Sequence, residues 1–349
     1  MIHAVDNINV VSLSPLLAPK ILKEKIPVTE KASETISSAR AAIAAIIEGR
    51  DKRLLTIVGP CSIHDEEAAL EYAERLLSLK TDISDRLCIV MRVYFEKPRT
   101  TTGWKGLIND PHIDNSYDIK TGLQKARGLL LKLATMGMPA ASEVLDPIIP
   151  QYIADLLSWA SIGARTAESQ THREMASGLS MPIGFKNNTD GNLQSAIDAL
   201  TAAKRPHHFL GIDNEGHSSV IHTRGNQYGH IILRGGRSGP NYDPVSVMAA
   251  EKQLEAASIA QGVMVDCSHA NCGKFEVLQG HVLHDVIQQR LSCTTNIFGV
   301  MLESNLREGR QDMATNNSEL EYGLSITDPC MGWERTEALL RKAHEKLSI

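Results

Sequence analysis

Aromatic side chains are scarce in this chain of 349 residues, at 4% of the total. Proteins that bind single-stranded nucleic acids stack bases on aromatic rings, so the shortage argues against that class. Positive charge is also in deficit, because 36 Lys and Arg residues face 41 Asp and Glu residues and leave a formal net charge of −5. A net-acidic chain does not favour general polyanion binding, although it is compatible with a local cluster of cations in a cleft. We therefore expect no nucleic-acid partner.

Two further features are missing. The six cysteines are scattered, with no Cys-x-x-Cys pair among them, which is typical of reduced thiols in an intracellular protein. No apolar stretch approaches the roughly 20 residues of a membrane span, and the run over 128–141 is interrupted by Lys132. The first 25 residues show no secretory signal pattern. We expect a cytoplasmic protein without a membrane partner.

The body of the chain alternates short apolar, β-branched runs with longer segments of helical period. This is the pattern of βα units around a parallel sheet. Eight such pairs favour an α/β fold of the closed (β/α)8, or TIM barrel, type over an open doubly wound sheet, which more often has about five or six strands. The predicted strands are 54–58, 88–93, 139–142, 159–164, 182–185, 230–233, 263–265 and 297–302, and the predicted helices are 66–79, 118–136, 150–157, 171–179, 192–204, 244–261, 276–289 and 334–347.

Two segments lie outside this repeat. Residues 1–50 precede the first strand and include an amphipathic segment over 29–47, so they predict an N-terminal arm and helix with a role in oligomerisation or regulation. The catalytic barrel is then predicted to span 51–349. Within it, residues 207–223 predict two short strands about the turn Asn214-Glu215-Gly216, a hairpin inserted before the sixth barrel strand. Simple packing against the barrel bottom or a neighbouring subunit is the alternative for both segments.

Charged side chains follow nearly all the predicted strands at their C-terminal ends, where barrels of this type form active sites. A single Arg or Lys there would be a solvated loop charge, but six would meet in one cleft of an acidic protein. Such a cluster is self-repelling unless anions fill it, and arginine matches phosphate and carboxylate groups bidentately. Two small phosphorylated substrates would balance it better than one. The six cations are Arg92, Lys97, Arg99, Arg165, Lys186 and Arg234.

A second set of strand-end residues carries a thiol, an imidazole and two carboxylates: Cys61, His269, Glu303 and Asp328. Mixed sulfur, nitrogen and oxygen donors suit a divalent first-row metal ion. These residues are far apart in sequence, so only the barrel topology would bring them together. The alternatives are a buried small hydrophobic residue for Cys61, a hydrogen-bonded core residue for His269, and cap or loop charges for Glu303 and Asp328.

Short motifs at these positions closely resemble the type I 3-deoxy-D-arabino-heptulosonate 7-phosphate (DAHP) synthases. The similarity runs from about residue 25 to the C-terminus. It departs at Asn115, where Gly is common in the family, and at Ala167, where Thr is common. The motifs are Gly59-Pro60-Cys61-Ser62, Lys97-Pro98-Arg99-Thr100-Thr101, Gly103-Trp104-Lys105-Gly106, Gly163-Ala164-Arg165, Glu168-Ser169-Gln170, Gly184-Phe185-Lys186-Asn187, 231–236 and Ser268-His269-Ala270-Asn271.

The resemblance implies a transferase that condenses phosphoenolpyruvate with D-erythrose 4-phosphate and opens the shikimate pathway of aromatic amino-acid biosynthesis. It implies one divalent ion per subunit, of the Mn, Fe, Co or Zn class. It also implies that Arg99 and Thr100 bind the erythrose phosphate. The implied metal ligands are Cys61, His269, Glu303 and Asp328, and the residues implied to hold phosphoenolpyruvate are Arg92, Lys97, Arg165, Lys186 and Arg234.

The chemistry adds two hypotheses about catalytic residues, which join Cys61 and His269 in the predicted catalytic set. We expect Lys97 to act as general acid beside the new alkoxide, and Glu143 to help place the attacking water. The alternative is that both make only ground-state contacts with substrate.

The resemblance further implies a homodimer or homotetramer that is inhibited by an aromatic amino acid bound away from the active site. Family members with Gly at the position of Gly211 resemble the tyrosine-sensitive type, since a missing side chain leaves space for a phenolic hydroxyl. The positions that match this site are Pro150, Gln151, Ser180, Phe209, Gly211 and Ile221.

Two alternative functions stay open at this point. A 3-deoxy-manno-octulosonate 8-phosphate synthase would perform the same condensation on a five-carbon aldose phosphate, but the Lys-Pro-Arg-Thr-Thr motif favours the four-carbon substrate. A non-catalytic barrel that senses an amino acid or anion would need neither the predicted metal ligands nor the cation cluster.

Overall fold

Ten strands are present in the computed structural model, which describes residues 3, 5–99, 103–260, 262–313 and 319–347. Eight of them are parallel and close into a barrel in the spatial order β1-β10-β9-β8-β5-β4-β3-β2, and β6 pairs with β7 in a separate antiparallel hairpin. The (β/α)8 prediction is confirmed. The strands are β1 (Leu54–Gly59), β2 (Leu87–Arg92), β3 (Ala140–Glu143), β4 (Trp159–Ile162), β5 (Ile183–Lys186), β6 (His208–Ile212), β7 (Ser218–His222), β8 (Gly229–Leu233), β9 (Val263–Asp266) and β10 (Ile297–Glu303).

Ten α-helices surround or precede the barrel strands in the described residues. None of them combines the length and the apolar character of a membrane span. Aspartates cap several N-termini, as Asp65 does by accepting hydrogen bonds from the backbone N–H groups of Glu67 and Ala68. The helices are α1 (Pro19–Lys25), α2 (Glu30–Ile47), α3 (Glu66–Ile83), α4 (Ile119–Met136), α5 (Pro150–Ile153), α6 (Gln170–Gly178), α7 (Gln194–Ala203), α8 (Pro244–Ala256), α9 (Gln279–Leu291) and α10 (Trp333–Lys346).

Helix α3 continues to Ile83 instead of ending at 79, and α9 begins at Gln279 after a 3-10 turn over Glu276–Leu278. Three other helices also differ from the prediction. The helix expected over 150–157 is one turn of α-helix followed by a 3-10 turn over Ala154–Leu156. Helix α8 stops at Ala256 instead of continuing to 261, because Ser258 adopts a left-handed φ of 60° that no α-helix can contain. The seven-residue helix α1 was not predicted, since two turns are too short for a clear helical period.

The barrel interior is filled by side chains. Leu55, Ile57 and Met264 belong to an inner cluster in which His230 is also enclosed. The Trp159 indole N–H donates to His230 Nε2 at 3.2 Å, and burial lowers the pKa of this imidazole to about 4. A packed interior leaves the strand ends as the place for a binding site.

Two backbone positions explain residue choices near that end of the barrel. Gly59 ends β1 with φ 155°, and a Cβ there would lie only 2.6 Å from the carbonyl oxygen of Arg92. Glycine therefore lets the start of the Cys61 loop lie against β2. Asn115 has φ 61°, a left-handed conformation that Asn tolerates better than most residues, so it can stand where glycine is common.

The hairpin and the N-terminal arm are joined by hydrogen bonds. The Lys20 backbone N–H donates to the Asn214 carbonyl at 2.8 Å, and Lys20 Nζ lies 2.8 Å from Glu215 Oε1. The Tyr152 hydroxyl on α5 donates to the Leu17 carbonyl at 2.8 Å. The inserted hairpin is confirmed, and its turn is held by the segment around α1. The functional division at residue 50 stays a prediction.

Candidate active site

Three of the four predicted metal ligands meet at the C-terminal end of the barrel. The ligand atoms of Cys61, Glu303 and Asp328 all lie within 4.8 Å of one another. Cys61 follows β1, Glu303 ends β10, and these two strands are paired in the barrel. Both side chains are buried, and Asp328 is half-buried. Closure of the barrel therefore brings together residues that are more than two hundred positions apart in sequence.

This group of donors fits a divalent metal ion. Glu303 Oε1 is buried and has no hydrogen-bond partner among the described residues. Arg92 Nη2 forms an ion pair with it at 2.8 Å and also donates a hydrogen bond to the Cys61 carbonyl at 3.2 Å. The oxygen accepts no hydrogen bond of good geometry from the described residues, so its lone pairs can coordinate a cation. The thiol and the two carboxylates supply ligands that first-row divalent ions accept.

His269 lies beside this group but outside the set of mutually close ligand atoms. Its Nε2 is 3.9 Å from Glu303 Oε1, and its Nδ1 is 3.0 Å from Asp266 Oδ2. An aspartate that holds Nδ1 leaves Nε2 as the ring nitrogen with a free lone pair, as is usual for histidines that bind metals. The left-handed backbone of His269, with φ 57°, turns the ring toward the site.

Electrostatics around Cys61 favour the protonated thiol in the metal-free chain. Burial raises the pKa of this thiol, as does the nearby carboxylate of Glu303, and the cations Lys97 and Arg92 oppose them only in part. Lys97 Nζ lies 3.1 Å from the Cys61 sulfur. Binding of a cation would therefore displace a proton from this residue.

Arg92 is a buried cation beside Glu303 and Cys61. It is 1% exposed, and its Nε donates to the Pro60 carbonyl at 3.0 Å. Its guanidinium carbon lies 3.6 Å from the centre of the Tyr94 ring. Burial lowers the pKa of Arg92, but the neighbouring Tyr94, Glu303 and Cys61 together raise it by more. The net pKa lies above the usual value, so the group keeps its charge. A permanently charged planar group is thus fixed beside the metal ligands.

Lys186 is the second buried cation. Its Nζ lies 2.9 Å from Asp266 Oδ2, and both side chains are almost completely buried. Burial is the largest single influence and lowers the pKa of Lys186. Asp266, Tyr94 and Glu143 together raise this pKa by more, so the lysine keeps its charge. Asp266 thereby connects a predicted substrate residue, Lys186, with the predicted metal ligand His269.

The remaining cations lie nearer to solvent. Arg234 is half-buried, and burial lowers its pKa. Asp266 opposes this shift, whereas the like charge of Arg165 adds to it. Arg165 is exposed. Arg99 is also exposed and donates to the Trp104 carbonyl of its own loop at 2.7 Å. Thr100, predicted to bind the second phosphate, lies outside the described residues.

Glu143 ends β3 and points toward the buried cations. Burial lowers the pKa values of Lys97 and Lys186, and closer charged partners raise them. The Glu143 carboxylate adds a smaller upward contribution to both. A Cβ at Gly163 would lie 2.2 Å from Glu143 Oε1, so the glycine at the end of β4 gives this carboxylate its space. The structure therefore gathers Glu143 with the cations.

Comparison with known proteins identifies one family. The model of the DAHP synthetase I family matches residues 25–341. The chain belongs to this family. It is 52% identical, over 99% of its length and 97% of the relative, to the Tyr-sensitive phospho-2-dehydro-3-deoxyheptonate aldolase of Escherichia coli strain K12. It is 54% identical to the Phe-sensitive aldolase of the same organism, over 97% of this chain and 96% of that one.

A solved structure gives the same result. The phospho-2-dehydro-3-deoxyheptonate aldolase of Francisella tularensis SCHU S4 superposes with a TM-score of 0.94 at 49% identity, covering 97% of this chain and 98% of that one. The family resemblance expected from the motifs is confirmed, and the chain is an enzyme of the DAHP synthase family.

Two residues of this DAHP synthase site had no role in the sequence-based prediction. Asp266 ends β9 and could have been noticed as an acid in a row of cations, but its contacts with Lys186 and His269 arise only from packing. The Tyr94 ring packs against the guanidinium of Arg92, and the Tyr94 hydroxyl lies 2.9 Å from Ser161 Oγ. No sequence signal separates a tyrosine of this kind from an ordinary core residue.

The positions predicted to bind an effector lie on the hairpin, at the start of α5 and just after α6. Phe209 and Ile221 are cross-strand partners in the hairpin, and a Cβ at Gly211 would lie 2.9 Å from Ile221 Cγ1. Pro150 and Gln151 begin α5. Ser180 follows α6, which packs against β6. The segment around α1 contacts both α5 and the hairpin turn, so these positions belong to one region of the surface.

Proposed function

We propose that this enzyme condenses phosphoenolpyruvate with D-erythrose 4-phosphate to give DAHP and inorganic phosphate, the reaction that opens the shikimate pathway to chorismate and the aromatic amino acids. Membership of the DAHP synthetase I family supports the reaction. The observation that carries it is the position of Arg92, Lys97 and Lys186 around the group Cys61, Glu303 and Asp328 at one end of the barrel.

We further propose that one divalent ion, of the Mn, Fe, Co or Zn class, binds Cys61, His269, Glu303 and Asp328. The Glu303 oxygen, which accepts no hydrogen bond from the part of the chain that the structure describes, and the mixed donor set support this site. Such an ion, when bound, supplies a Lewis acid that polarises the aldehyde oxygen of the sugar phosphate.

The cations have separate roles in this proposal. Phosphoenolpyruvate carries a phosphate and a carboxylate, and its charge matches Arg92, Lys97, Arg165, Lys186 and Arg234. Arg99 and Thr100 bind the phosphate of erythrose 4-phosphate. Holding both substrates in a fixed relation converts their encounter into an effectively unimolecular step.

The order of bond changes follows from the chemistry of an enol phosphate. C3 of phosphoenolpyruvate attacks the aldehyde carbon, and the new alkoxide takes a proton from Lys97. Positive character then develops at C2, where water held by Glu143 adds and gives one proton to the Glu143 carboxylate. The resulting phosphohemiketal collapses by cleavage of its C–O bond, and inorganic phosphate leaves toward the arginines.

Phosphate release tests the reaction. The protein is incubated with phosphoenolpyruvate and either erythrose 4-phosphate or arabinose 5-phosphate, before and after chelation. We expect release with erythrose 4-phosphate, its loss on chelation and its return on addition of Mn²⁺. Preference for arabinose 5-phosphate would favour the octulosonate alternative, and no release from the folded, metal-loaded protein would favour a sensor.

A pair of lysine variants tests the acid. We expect Lys97→Ala to lower kcat by about 10²–10⁴-fold, the usual contribution of general acid catalysis. Lys120→Ala, at an exposed position at the start of α4, should leave kcat unchanged. Near-normal kcat with a raised KM in Lys97→Ala would reduce Lys97 to a binding residue.

We propose feedback inhibition by an aromatic amino acid, with tyrosine favoured, at Pro150, Gln151, Ser180, Phe209, Gly211 and Ile221. The relatives named Tyr-sensitive and Phe-sensitive are 52% and 54% identical, so overall identity does not choose between these effectors. The missing side chain at Gly211 favours tyrosine. Inhibition titrations with Phe, Tyr and Trp test this, and equal insensitivity to all three would contradict it.

The assembly and location are also proposals. We propose a cytoplasmic homodimer or homotetramer, in agreement with the family resemblance. Light scattering during size-exclusion chromatography measures the assembly, and a monomer at micromolar concentration would contradict it.

A further inference from the structure

Two histidines face each other on the outer side of the hairpin. His208 on β6 is the direct cross-strand partner of His222 on β7. Their Nδ1 atoms are 2.6 Å apart, and the ring centres are 4.6 Å apart with an interplanar angle of 71°. Both residues are exposed, so the open side of the pair faces solvent.

The backbone on both sides of this pair is fixed. The neighbouring residues are hydrogen-bonded, with the Thr223 N–H donating to the His207 carbonyl at 3.0 Å. His208 and His222 therefore occupy a non-hydrogen-bonded pair, the type in which side chains approach most closely. Thr223 Oγ1 is 2.6 Å from Ser177 Oγ on α6, which ties the base of the hairpin to the barrel.

This geometry is close to that of a two-histidine chelate. Zinc–imidazole bonds of about 2.0–2.1 Å place two neighbouring ring nitrogens about 2.9–3.4 Å apart. The Nδ1 atoms at 2.6 Å thus need to separate by less than about 1 Å, a movement that small side-chain rotations supply. Neutral rings can both present a lone pair at Nδ1 when the proton of each resides on Nε2.

We infer that His208 and His222 form a second metal site, which binds a divalent ion that prefers imidazole, such as Zn²⁺, Ni²⁺ or Cu²⁺. The site is separate from the group at the barrel mouth, and water completes its coordination on the exposed side. It does not depend on the proposed reaction, since it uses none of the residues at the mouth.

Binding there would hold the two strands together at the base of the hairpin. The half-buried face of the same strands carries Phe209, Gly211 and Ile221. An ion on the outer face would therefore restrict opening of the strands that present these residues.

Zinc stoichiometry tests the site. The metal-free protein is equilibrated with excess Zn²⁺, and bound zinc is counted per chain after dialysis against a fixed free concentration. We expect His208→Gln and His222→Gln each to lose one zinc equivalent relative to the unchanged chain. His217→Gln is the matched control, because His217 lies on the same hairpin, is 76% exposed and faces Asp213 instead of a second histidine.

The test compares bound zinc per chain between variants, so zinc bound at Cys61, Glu303 and Asp328 does not affect the result. Equal zinc content in the unchanged chain and His222→Gln would overturn the inference, and so would an equal loss in His217→Gln. Erythrose 4-phosphate-dependent phosphate release should be the same in all three variants, which verifies that each is folded.

Hydrogen exchange gives a local readout. At free Zn²⁺ ten times the dissociation constant, amides of 207–223 that exchange through hairpin opening should slow about tenfold in the unchanged chain and in His217→Gln. The same peptide should show no zinc effect in His222→Gln. Equal protection in His222→Gln, or none in the unchanged chain, would contradict a clamp at this pair.

Discussion

Both ends of the barrel carry clustered cations, but the fold treats them differently. A cavity of about 850 Å³ at the N-terminal ends of the strands is lined by Lys52, Arg53, Arg86 and Arg290. Arg53 Nη2 lies 2.6 Å from Asp51 Oδ2, and Arg290 Nη2 donates to the Lys52 carbonyl at 2.9 Å. Arg53 and Arg290 therefore bind groups of the protein itself and link the strand ends.

At the opposite end, Arg92 and Lys186 are paired with the carboxylates of Glu303 and Asp266. Arg165 and Arg234 are close enough for their like charges to interact, and Lys97 Nζ lies 3.1 Å from the Cys61 sulfur. A bound anion would offset the repulsion between Arg165 and Arg234. The two ends therefore differ in one respect: Arg53 and Arg290 bind groups of the protein, whereas Arg165 and Arg234 repel each other, which favours the C-terminal end of the barrel as the anion-binding site.

Matched arginine variants give the largest expected difference between the two ends. Arg234→Gln should lower kcat/KM about a hundredfold, since a hydrogen bond to a charged group contributes about 1.5–3 kcal/mol. Arg290→Gln should leave kcat/KM unchanged and lower Tm, because it removes hydrogen bonds to backbone carbonyls. Steady-state kinetics and thermal unfolding of both variants measure this. A loss of kcat/KM in Arg290→Gln would break the comparison.

Asp266 tests how the mouth is organised. Asp266→Asn should weaken metal affinity about 10–100-fold, the usual effect of removing the partner of a metal-binding histidine. Competition with a chromogenic chelator measures the affinity, and Tm should be recorded because Lys186 loses its buried partner. Ser268→Ala leaves the aspartate in place and should have a smaller effect. Unchanged affinity in Asp266→Asn would separate Asp266 from the metal site.

Glu96, near the mouth, should weaken the fold at high pH. Burial and Asp146 raise its pKa from 4.5 to about 8. Because the folded chain keeps a proton that the unfolded chain loses, stability should fall as pH rises from about 4.5 to 8, by up to about 1.4 kcal/mol per pH unit. Urea unfolding of Glu96→Gln should show a flatter profile there. An unchanged slope would exclude this residue as its source.

His230, in the barrel interior, should act in the opposite direction over a narrower range. Its pKa is lowered from 6.5 to about 4, so the folded chain excludes a proton that the unfolded chain binds. Stability is full above about pH 6.5 and declines as pH falls toward 4. His230→Gln should flatten this acid limb in urea titrations. Equal acid sensitivity in the variant would assign the limb to other groups.

The barrel could be predicted from the sequence because each strand is buried on both faces and forms a continuous apolar run. The hairpin could be predicted because Asn214-Glu215-Gly216 separates two short β-type segments. Strand ends then identified the residues of the site, since topology alone carries Cys61 and Glu303 to one end. Local sequence was sufficient wherever one regular element determined the position.

Other features depend on packing between distant elements. The orientation of His269 comes from Asp266, and the charge of Arg92 is stabilised by Tyr94, neither of which spacing reveals. Helix α1 is stabilised by contacts with the hairpin turn more than by its own seven residues. The ending of α8 at Ala256 depends on one left-handed serine that has no strong sequence signature.

The neighbouring positions of β1 and β10 have a consequence for biosynthesis. Cys61 is translated before Glu303 and Asp328, which follow it by more than two hundred residues. A ribosome-bound polypeptide that still lacks β10 cannot close the seam between the first and last strands. Incorporation of the proposed ion would therefore follow synthesis of β10 and Asp328, and a product truncated before β10 would lack two of its proposed ligands.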